Sequence, residues 1–583
     1  MKSAPATTKT TTTARPAKVR GPRLGRFDRF TGFAFKLFGK QGKRLASSRP
    51  KLVDEIMKSN IRVTPEGLIS VVLLCTTIST LIGIALLAVA FATGILYFAL
   101  GMLAPPLVFL VTWKSPKISQ SGRSAALDNE YPFMIGFMEV LAGGGVSPIS
   151  ALRRMSKMEK IFPAASKEAK RILVDIDVFG TDPITAFEKA AKFSPHKAFT
   201  NFLYGYTTVL KTGGNVTDYV GMKMKETFDL RASKIKRTTD SIGTLAEAYL
   251  TVTSVLGISL FTLYQTQAIL TRDSGGMTSL FIFSFLGIPV ISVLFVWILD
   301  GLQAKQPFVD MRPYKLFAYC LPLGVLIYLL PIPVSYPLKV SMALISTVLG
   351  PTIVTNRYTR ETRGLENALP DFIRDVAEGR KVGLPPEGSI EALATKDYGK
   401  LTPAVRKMAS QISWGLSIGK VISTFVSDVR SWITKVAGTL MVEVVDVGGG
   451  TVKSFSEMAD FTRKVNETES DRRAALRPFV FVVYMSGILL VFSTFTMVYF
   501  LSEPASVLAH SPYTANLGLP TVDPGTVSVL LVTSIFDSWI VGFVAGKMGN
   551  GAVSDGFKHA LSLVTISIVA IYVTGLFIPI KFS

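Results

Sequence analysis

Residues 129 to 148, "NEYPFMIGFMEVLAGGGVSP", return as residues 367 to 386, "NALPDFIRDVAEGRKVGLPP", at a constant offset of 238. Asn129, Pro132, Ile135, Gly145 and Pro148 meet Asn367, Pro370, Ile373, Gly383 and Pro386. Ala151-Leu152 then meets Ala392-Leu393 after a three-residue insertion in the second copy. Farther on, Phe187 is paired with Phe425, "TGGNV" (212 to 216) with "GGGTV" (448 to 452), and Lys236-Arg237 with Arg472-Arg473. So small a drift over a whole module marks an internal duplication. Apolar residues recur at helical spacing, as in Phe133, Met134, Phe137, Met138 and Leu141, with no strand-like alternation in competition. The fold class is therefore all-α.

The duplicated segments are charged islands in an apolar chain. Of 583 residues 49% are hydrophobic and 18% charged, and mean hydropathy is +0.40. A spanning helix needs about 20 apolar residues. Residues 67 to 113 carry no charge at all, with "FATG" (91 to 94) as the expected turn of a hairpin. Further apolar runs cover 248–271, 274–299, 316–338, 340–356, 478–502, 524–546 and 560–580. About nine spans are expected, the break marked by Pro331, Pro333 and Pro337 being the hardest to place. The resulting order is a basic, partly disordered cytosolic region (1–65), a transmembrane hairpin (66–113) and cytosolic helical-bundle domain I (114–247). A second hairpin (248–299), a cytosolic linker (300–315), a third hairpin (316–356) and homologous domain II (357–477) follow. Three spans (478–583) enclose an outside loop at 503–523.

Charge sets the expected orientation. Residues 1 to 65 hold 8 Lys and 8 Arg against 3 acids, in a Thr/Ala/Pro-rich tail that lacks the apolar core of a signal peptide. With the N-terminus cytosolic, 60 of the 63 Lys and Arg fall on the cytosolic side, all but Arg272, Lys339 and Lys581. The chain is thus expected to be a multi-pass protein of the cell membrane. Its basic tail faces anionic lipid, and no nucleic-acid partner is expected.

The conserved positions of the repeat read as turns. In the first copy, Gly145 suits the left-handed end of a helix, and Ser147-Pro148 supplies an N-cap and a first-turn proline. The second copy keeps Gly383 and Pro386, while Lys381 and Val382 stand where the first has glycine. That argues against a phosphate cradle and leaves the extra glycines as a pliable hinge. A second corner falls at Gly213-Gly214 and at Gly449-Gly450. Beyond it, charged helices run as stalks into the membrane, their basic residues near the headgroups.

No catalytic motif emerges. "GLSIGKV" (415–421), "GGGTVKS" (448–454) and "GFVAGKM" (542–548) all miss the P-loop spacing or its hydroxyl. His196, His510 and His559 lie in separate segments, as do Cys75 and Cys320, so no metal or cofactor is expected. Asp537 is the one acid deep in an expected span; it reads either as a proton-relay group or as a packing residue bonded to Ser or Trp.

These residues resemble the type II secretion F-domain family, the polytopic platform proteins of type IV pilus-like machines. The resemblance runs from about residue 65 to the end: two helical domains with proline-started helices, the turns "GVSPISAL" and "GLPPEGSIEAL", and the Gly-Gly corners. "GFVAGKMGNGAVSDGFKHALSLVTI" (542–566) is similar to the last pair of spans in archaeal pilus and archaellum platforms. The resemblance implies a non-enzymatic membrane platform that couples a hexameric secretion ATPase to the insertion of pilin or archaellin-like subunits. Monomer and homodimer stay open. Candidate ATPase contacts are Arg153, Arg154, Lys157 and Lys160, and Arg406-Lys407. A secondary transporter is the chief alternative, since internal duplication is also a transporter feature.

Overall fold

The computed structural model describes residues 26–61, 63–93, 101–270, 274–303, 310–448, 450–509 and 524–577. The tail at 1–25, part of the linker at 304–309, Gly449 and the loop at 510–523 lie outside them. Every element is helical among the described residues. The chain divides into two compact units, residues 1–127 with 188–203 and residues 128–187 with 204–583.

The N-terminal region contains α1 (Arg26–Ser47) and α2 (Lys51–Ser59), then α3 (Pro65–Thr93). Helix α1 lies close against α3 at Gly42, where a Cβ would sit 2.6 Å from Ser70 Oγ and 2.7 Å from the Glu66 carbonyl. The first copy of the module is α4 (Ala104–Gly143), α5 (Pro148–Met155), α6 (Pro163–Asp177), α7 (Pro183–Phe193), α8 (Lys197–Lys211) and α9 (Val216–Leu250). A π-helical turn, Thr251–Leu256, carries α9 into α10 (Gly257–Leu270), before α11 (Ser274–Ile282), α12 (Ile288–Leu302) and α13 (Arg312–Leu329). The second copy is α14 (Tyr336–Lys381), α15 (Pro386–Ala392), α16 (Thr402–Ser413), α17 (Ile418–Asp428), α18 (Trp432–Gly448) and α19 (Val452–Ala509). Helices α20 (Pro524–Asn550) and α21 (Gly556–Phe577) close the chain.

Helix ends match between copies, with one correction. Helix α6 has 15 residues and α16 has 12, and the second copy also has one residue fewer before its next helix, so the offset falls from 239 at Pro163 and Thr402 to 235 at Pro183 and Ile418. Helices α7 and α17 have 11 residues each, from Pro183 and from Ile418. Phe187 therefore corresponds to Ile422 rather than to Phe425.

The prolines bring a second correction. Pro132 and Pro370 lie inside α4 and α14 and do not start helices. Each forfeits one backbone bond, which a long helix packed on its neighbours tolerates.

Among the described residues seven helical stretches are long and apolar enough to cross a membrane: Pro65–Ala92, Val216–Tyr264, Thr278–Leu302, Tyr336–Lys381, Val452–Thr496, Val527–Asn550 and Val553–Val573. Two of the nine expected spans are missing from this set. The second arm of the first hairpin runs through residues 94–100, which are not described. Helix α13 has 18 residues, carries Arg312 and Lys315 at its start, and stops at Leu329 before Pro331 and Pro333. The break between α13 and α14 thus falls at 330–335, ahead of the place the apolar runs suggest.

The membrane bundle is tightest around α20. A Cβ on Gly542 would lie 2.3 Å from Ala560 Cα, and one on Gly546 would lie 2.0 Å from the Gly556 nitrogen. The "GFVAGKM" glycines therefore let the backbones of α20 and α21 meet. The loop between these helices is tied down by side chains. Lys547 pairs with Asp300 at 2.7 Å, and Arg363 donates to Asn550 at 2.9 Å.

Candidate functional site

At the first corner of the first copy, Gly145 takes φ +79°, and its neighbours close the loop with Val146 N donating to Leu141 O at 3.0 Å. Ser147 caps α5 by accepting from Ser150 N at 3.3 Å, with Pro148 in the first turn. The second copy repeats the geometry: Gly383 has φ +90°, and Leu384 N donates to Gly379 O at 3.1 Å. Gly213 and Gly450 take φ +70° and +67° at the second corners, one step apart in register.

Gly143 and Gly144 are not a free hinge. A Cβ on Gly144 would stand 2.8 Å from Ser454 Oγ, and one on Gly143 3.4 Å from Glu457 Cγ. Both glycines thus admit the first turn of α19 from the other copy. Their counterparts Lys381 and Val382 face outward, Val382 being 79% exposed.

From this corner the two copies stay in contact along α4. Gly136 makes room for the Phe461 ring, which would be 2.3 Å from a Cβ there. Phe133 meets Trp432 edge to face at 4.4 Å between centroids, and the Arg231 guanidinium lies 4.9 Å above the Phe133 ring. Trp432 Nε1 donates to Ile161 O at 3.2 Å. Ion pairs cross the same junction, Arg154 to Glu443 at 2.5 Å and Arg231 to Glu469 at 3.3 Å.

Glu139, one turn before the corner, is the unusual group here. It is buried, and its Oε2 has no hydrogen-bond partner. Burial, followed by the neighbouring Glu457 and Asp460, pushes its pKa up to about 8, with Lys453 opposing. A neutral carboxylic acid fits such a site better than a carboxylate. The second copy has Ala377 at this position.

The expected contact cations fall into two groups. Arg153 pairs with Asp177 at 2.8 Å and Lys407 with Asp428 at 2.7 Å, while Arg154 is committed to Glu443. Lys157, Lys160 and Arg406 are exposed, Arg406 reaching Ala394 O at 3.4 Å. The six do not form one patch, since Arg153 to Lys160 and Arg406-Lys407 sit in different copies. Asp537 is fully buried; Oδ1 accepts from Ser284 Oγ at 2.8 Å, and neither its Oδ2 nor Trp539 Nε1 has a partner. The bonded serine is thus remote in sequence, and the tryptophan bond is not made. His196 caps α8 by accepting from Phe199 N at 3.1 Å, and His559 bonds Tyr484 at 2.8 Å. No group of three or more metal-ligating side chains occurs among the described residues.

The sequence pattern alone did not single out Gly136, Glu139, Phe461 or Trp432. The available signal was divergence between copies, where Gly136 faces Arg374 and Glu139 faces Ala377.

The fold defines a multi-pass membrane protein with a duplicated helical domain on continuous membrane helices. The family described as Type II secretion system (T2SS), protein F, matches residues 135–264 and again 372–499, so the duplicated unit carries that domain in two copies. The chain is similar to an uncharacterised protein of Methanocaldococcus jannaschii, 21% identical over 503 residues, covering 79% of this chain and 82% of that protein. It is also similar to the Flagella accessory protein J of the same organism, 19% identical over 545 residues, covering 89% and 96%. No solved structure matches.

Proposed function

We propose that the chain is the non-enzymatic membrane platform of a type IV pilus-like filament machine, an archaeal adhesion pilus or archaellum. In this reading it couples a cytosolic, hexameric secretion ATPase to the insertion of pilin or archaellin-like subunits. The observation that carries the reading is helix continuity. Helices α4, α14 and α19 run unbroken across residues 113/114, 356/357 and 477/478, where apolar and charged sequence meet, and α9 crosses 247/248 to continue through the π-helical turn at Thr251–Leu256 into α10. A rigid rod passes displacement along its axis, whereas a loop would absorb it. Domains I and II, with the basic N-terminus, are assigned to the cytosol. Lys157, Lys160 and Arg406 are the best-placed ATPase contacts, because their side chains stand exposed while Arg154 binds within the chain.

The kinship with Flagella accessory protein J supports a filament role at low identity. A transporter would place its repeated elements and several polar groups near the membrane midplane; here the duplication is centred on the charged domains. The test is deletion of the gene in its host with surface filaments scored by electron microscopy. Loss of one filament type, restored by the intact chain, is expected; filaments at normal number would refute the proposal.

A further inference from the structure

Where α14 and α19 pass between charged and apolar sequence, basic side chains gather around the loop that joins α20 to α21. One face of α14 carries Thr359, Arg363 and Glu366 at helical spacing. Thr359 Oγ1 donates to Asp555 Oδ1 in that loop at 3.4 Å. Arg363 donates to Asn550 Oδ1 at 2.9 Å, and Glu366 accepts from Arg473 of α19 at 3.0 Å. Helix α14 runs from apolar into charged sequence and α19 from charged into apolar, so the two are antiparallel. Arg477, one turn beyond Arg473, therefore comes level with Arg363. Lys558 follows Asp555 at the start of α21.

The charges do not cancel. Glu366 is taken by Arg473 and by Ser431, whose hydroxyl donates to it at 2.7 Å. Arg363, Arg477 and Lys558 form no ion pair among the described residues, and Asp555 is the acid left to face them. Arg363 is half-buried and meets the like charges of Arg473 and Arg477. A half-buried guanidinium among like charges favours an anion beside it. Beneath these cations the surface turns apolar. Phe481 and Phe492 continue the face of Arg477 along α19, Val569 and Val573 continue that of Lys558 along α21, and all four are exposed. Tyr484 bonds His559 at 2.8 Å and closes the seam between the two helices.

We infer that Arg363, Arg477 and Lys558 hold the phosphate of an anionic phospholipid whose acyl chains lie along the exposed faces of α19 and α21. The guanidinium groups offer paired N–H donors that match phosphate oxygens, and the Lys558 ammonium adds a point charge. Free phosphate would use the cations alone; a lipid also covers the apolar strips below them. The bound head ties α14 and α19 to the loop between α20 and α21. This site lies apart from the junction of the two copies and does not depend on the platform reading.

The full chain in neutral detergent is titrated with dioleoylphosphatidylglycerol, with zwitterionic dioleoylphosphatidylcholine and with inorganic phosphate, and native mass spectrometry counts what is retained. Saturable retention of phosphatidylglycerol is expected, with little of the other two. Arg477→Gln combined with Lys558→Gln should raise the half-saturating lipid concentration about tenfold. Arg477→Gln alone, at an exposed position, should raise it about threefold and covers the case in which the double variant fails to fold. Lys157→Gln with Lys160→Gln removes two exposed cations of the first copy and should leave it unchanged. Equal retention of phosphatidylcholine, unchanged binding in the variants of the site, or the same loss in the Lys157 and Lys160 variant would overturn the proposal. Inorganic phosphate retained as tightly as the lipid would overturn the assignment to a phospholipid.

Discussion

The first corner of each copy has the same backbone and opposite surroundings. Gly145 and Gly383 both turn left-handed, yet Gly144 lies against Ser454 while its counterpart Val382 is open to solvent. Farther back, Gly136 and Glu139 are enclosed by domain II, while Arg374 is exposed and Ala377 is buried without a charge. The difference shows how a duplicated domain becomes a pair. The first copy has become the receiving surface, with glycines where α19 arrives. The second supplies the inserting groups, Phe461, Trp432 and Ser454.

The comparison is broken most severely at Gly136. Gly136→Val pushes on the Phe461 ring in a full junction and should cost about 1–3 kcal/mol. The matching change Arg374→Val should stay within about 0.5 kcal/mol. The shift in unfolding midpoint of the detergent-solubilised chain measures both, and equal shifts would remove the asymmetry.

Glu139 sharpens the comparison through pH. Its pKa is raised from 4.5 to about 8 in the fold, so the folded state holds the proton longer than the unfolded chain. The contribution to stability is complete below pH 4.5 and is lost as pH rises through about 8. Its slope can reach at most about 1.4 kcal/mol per pH unit. Glu139→Ala, which copies the second domain, and Glu139→Gln should both flatten this part of the midpoint-against-pH profile. A slope that persists in both would place the titrating group elsewhere.

A smaller effect is expected at the corner. Gly144→Ala must displace the Ser454 hydroxyl and should lose about 1 kcal/mol, whereas Val382→Ala should be nearly silent. If Gly144→Ala is silent too, the hinge reading regains its footing. Of the changes at the junction the smallest effect belongs to Arg154→Ala, which removes a partly exposed ion pair with Glu443 and should cost about 0.5–1 kcal/mol, less at high salt. A double-mutant cycle with Glu443→Gln measures it.

Much of this architecture was legible in the sequence. Uncharged runs mark spans because lipid cannot hydrate a charge, and the repeat marks the domains because two copies preserve the turns that both need. Gly145, Gly383, Pro148 and Pro386 were readable for that reason. Helix continuity was harder to see, since Pro132 and Pro370 look like helix starts and only packing shows that α4 and α14 run through them. The junction itself was hidden. A repeat displays what the copies share, and Gly136, Glu139 and Gly144 matter because one copy differs to accommodate the other. Asp537 was legible as a buried acid, but its partner Ser284 lies on a helix far away in sequence.

The most direct test of the central claim, that rigid helices join the duplicated domains to the membrane in a working filament platform, is a short glycine-serine insertion after Glu467 in α19. Filaments are then counted by electron microscopy in cells whose only copy of the chain carries the insertion. The account predicts cells without filaments although the protein is present in the membrane at its normal level; filaments at wild-type number would contradict it.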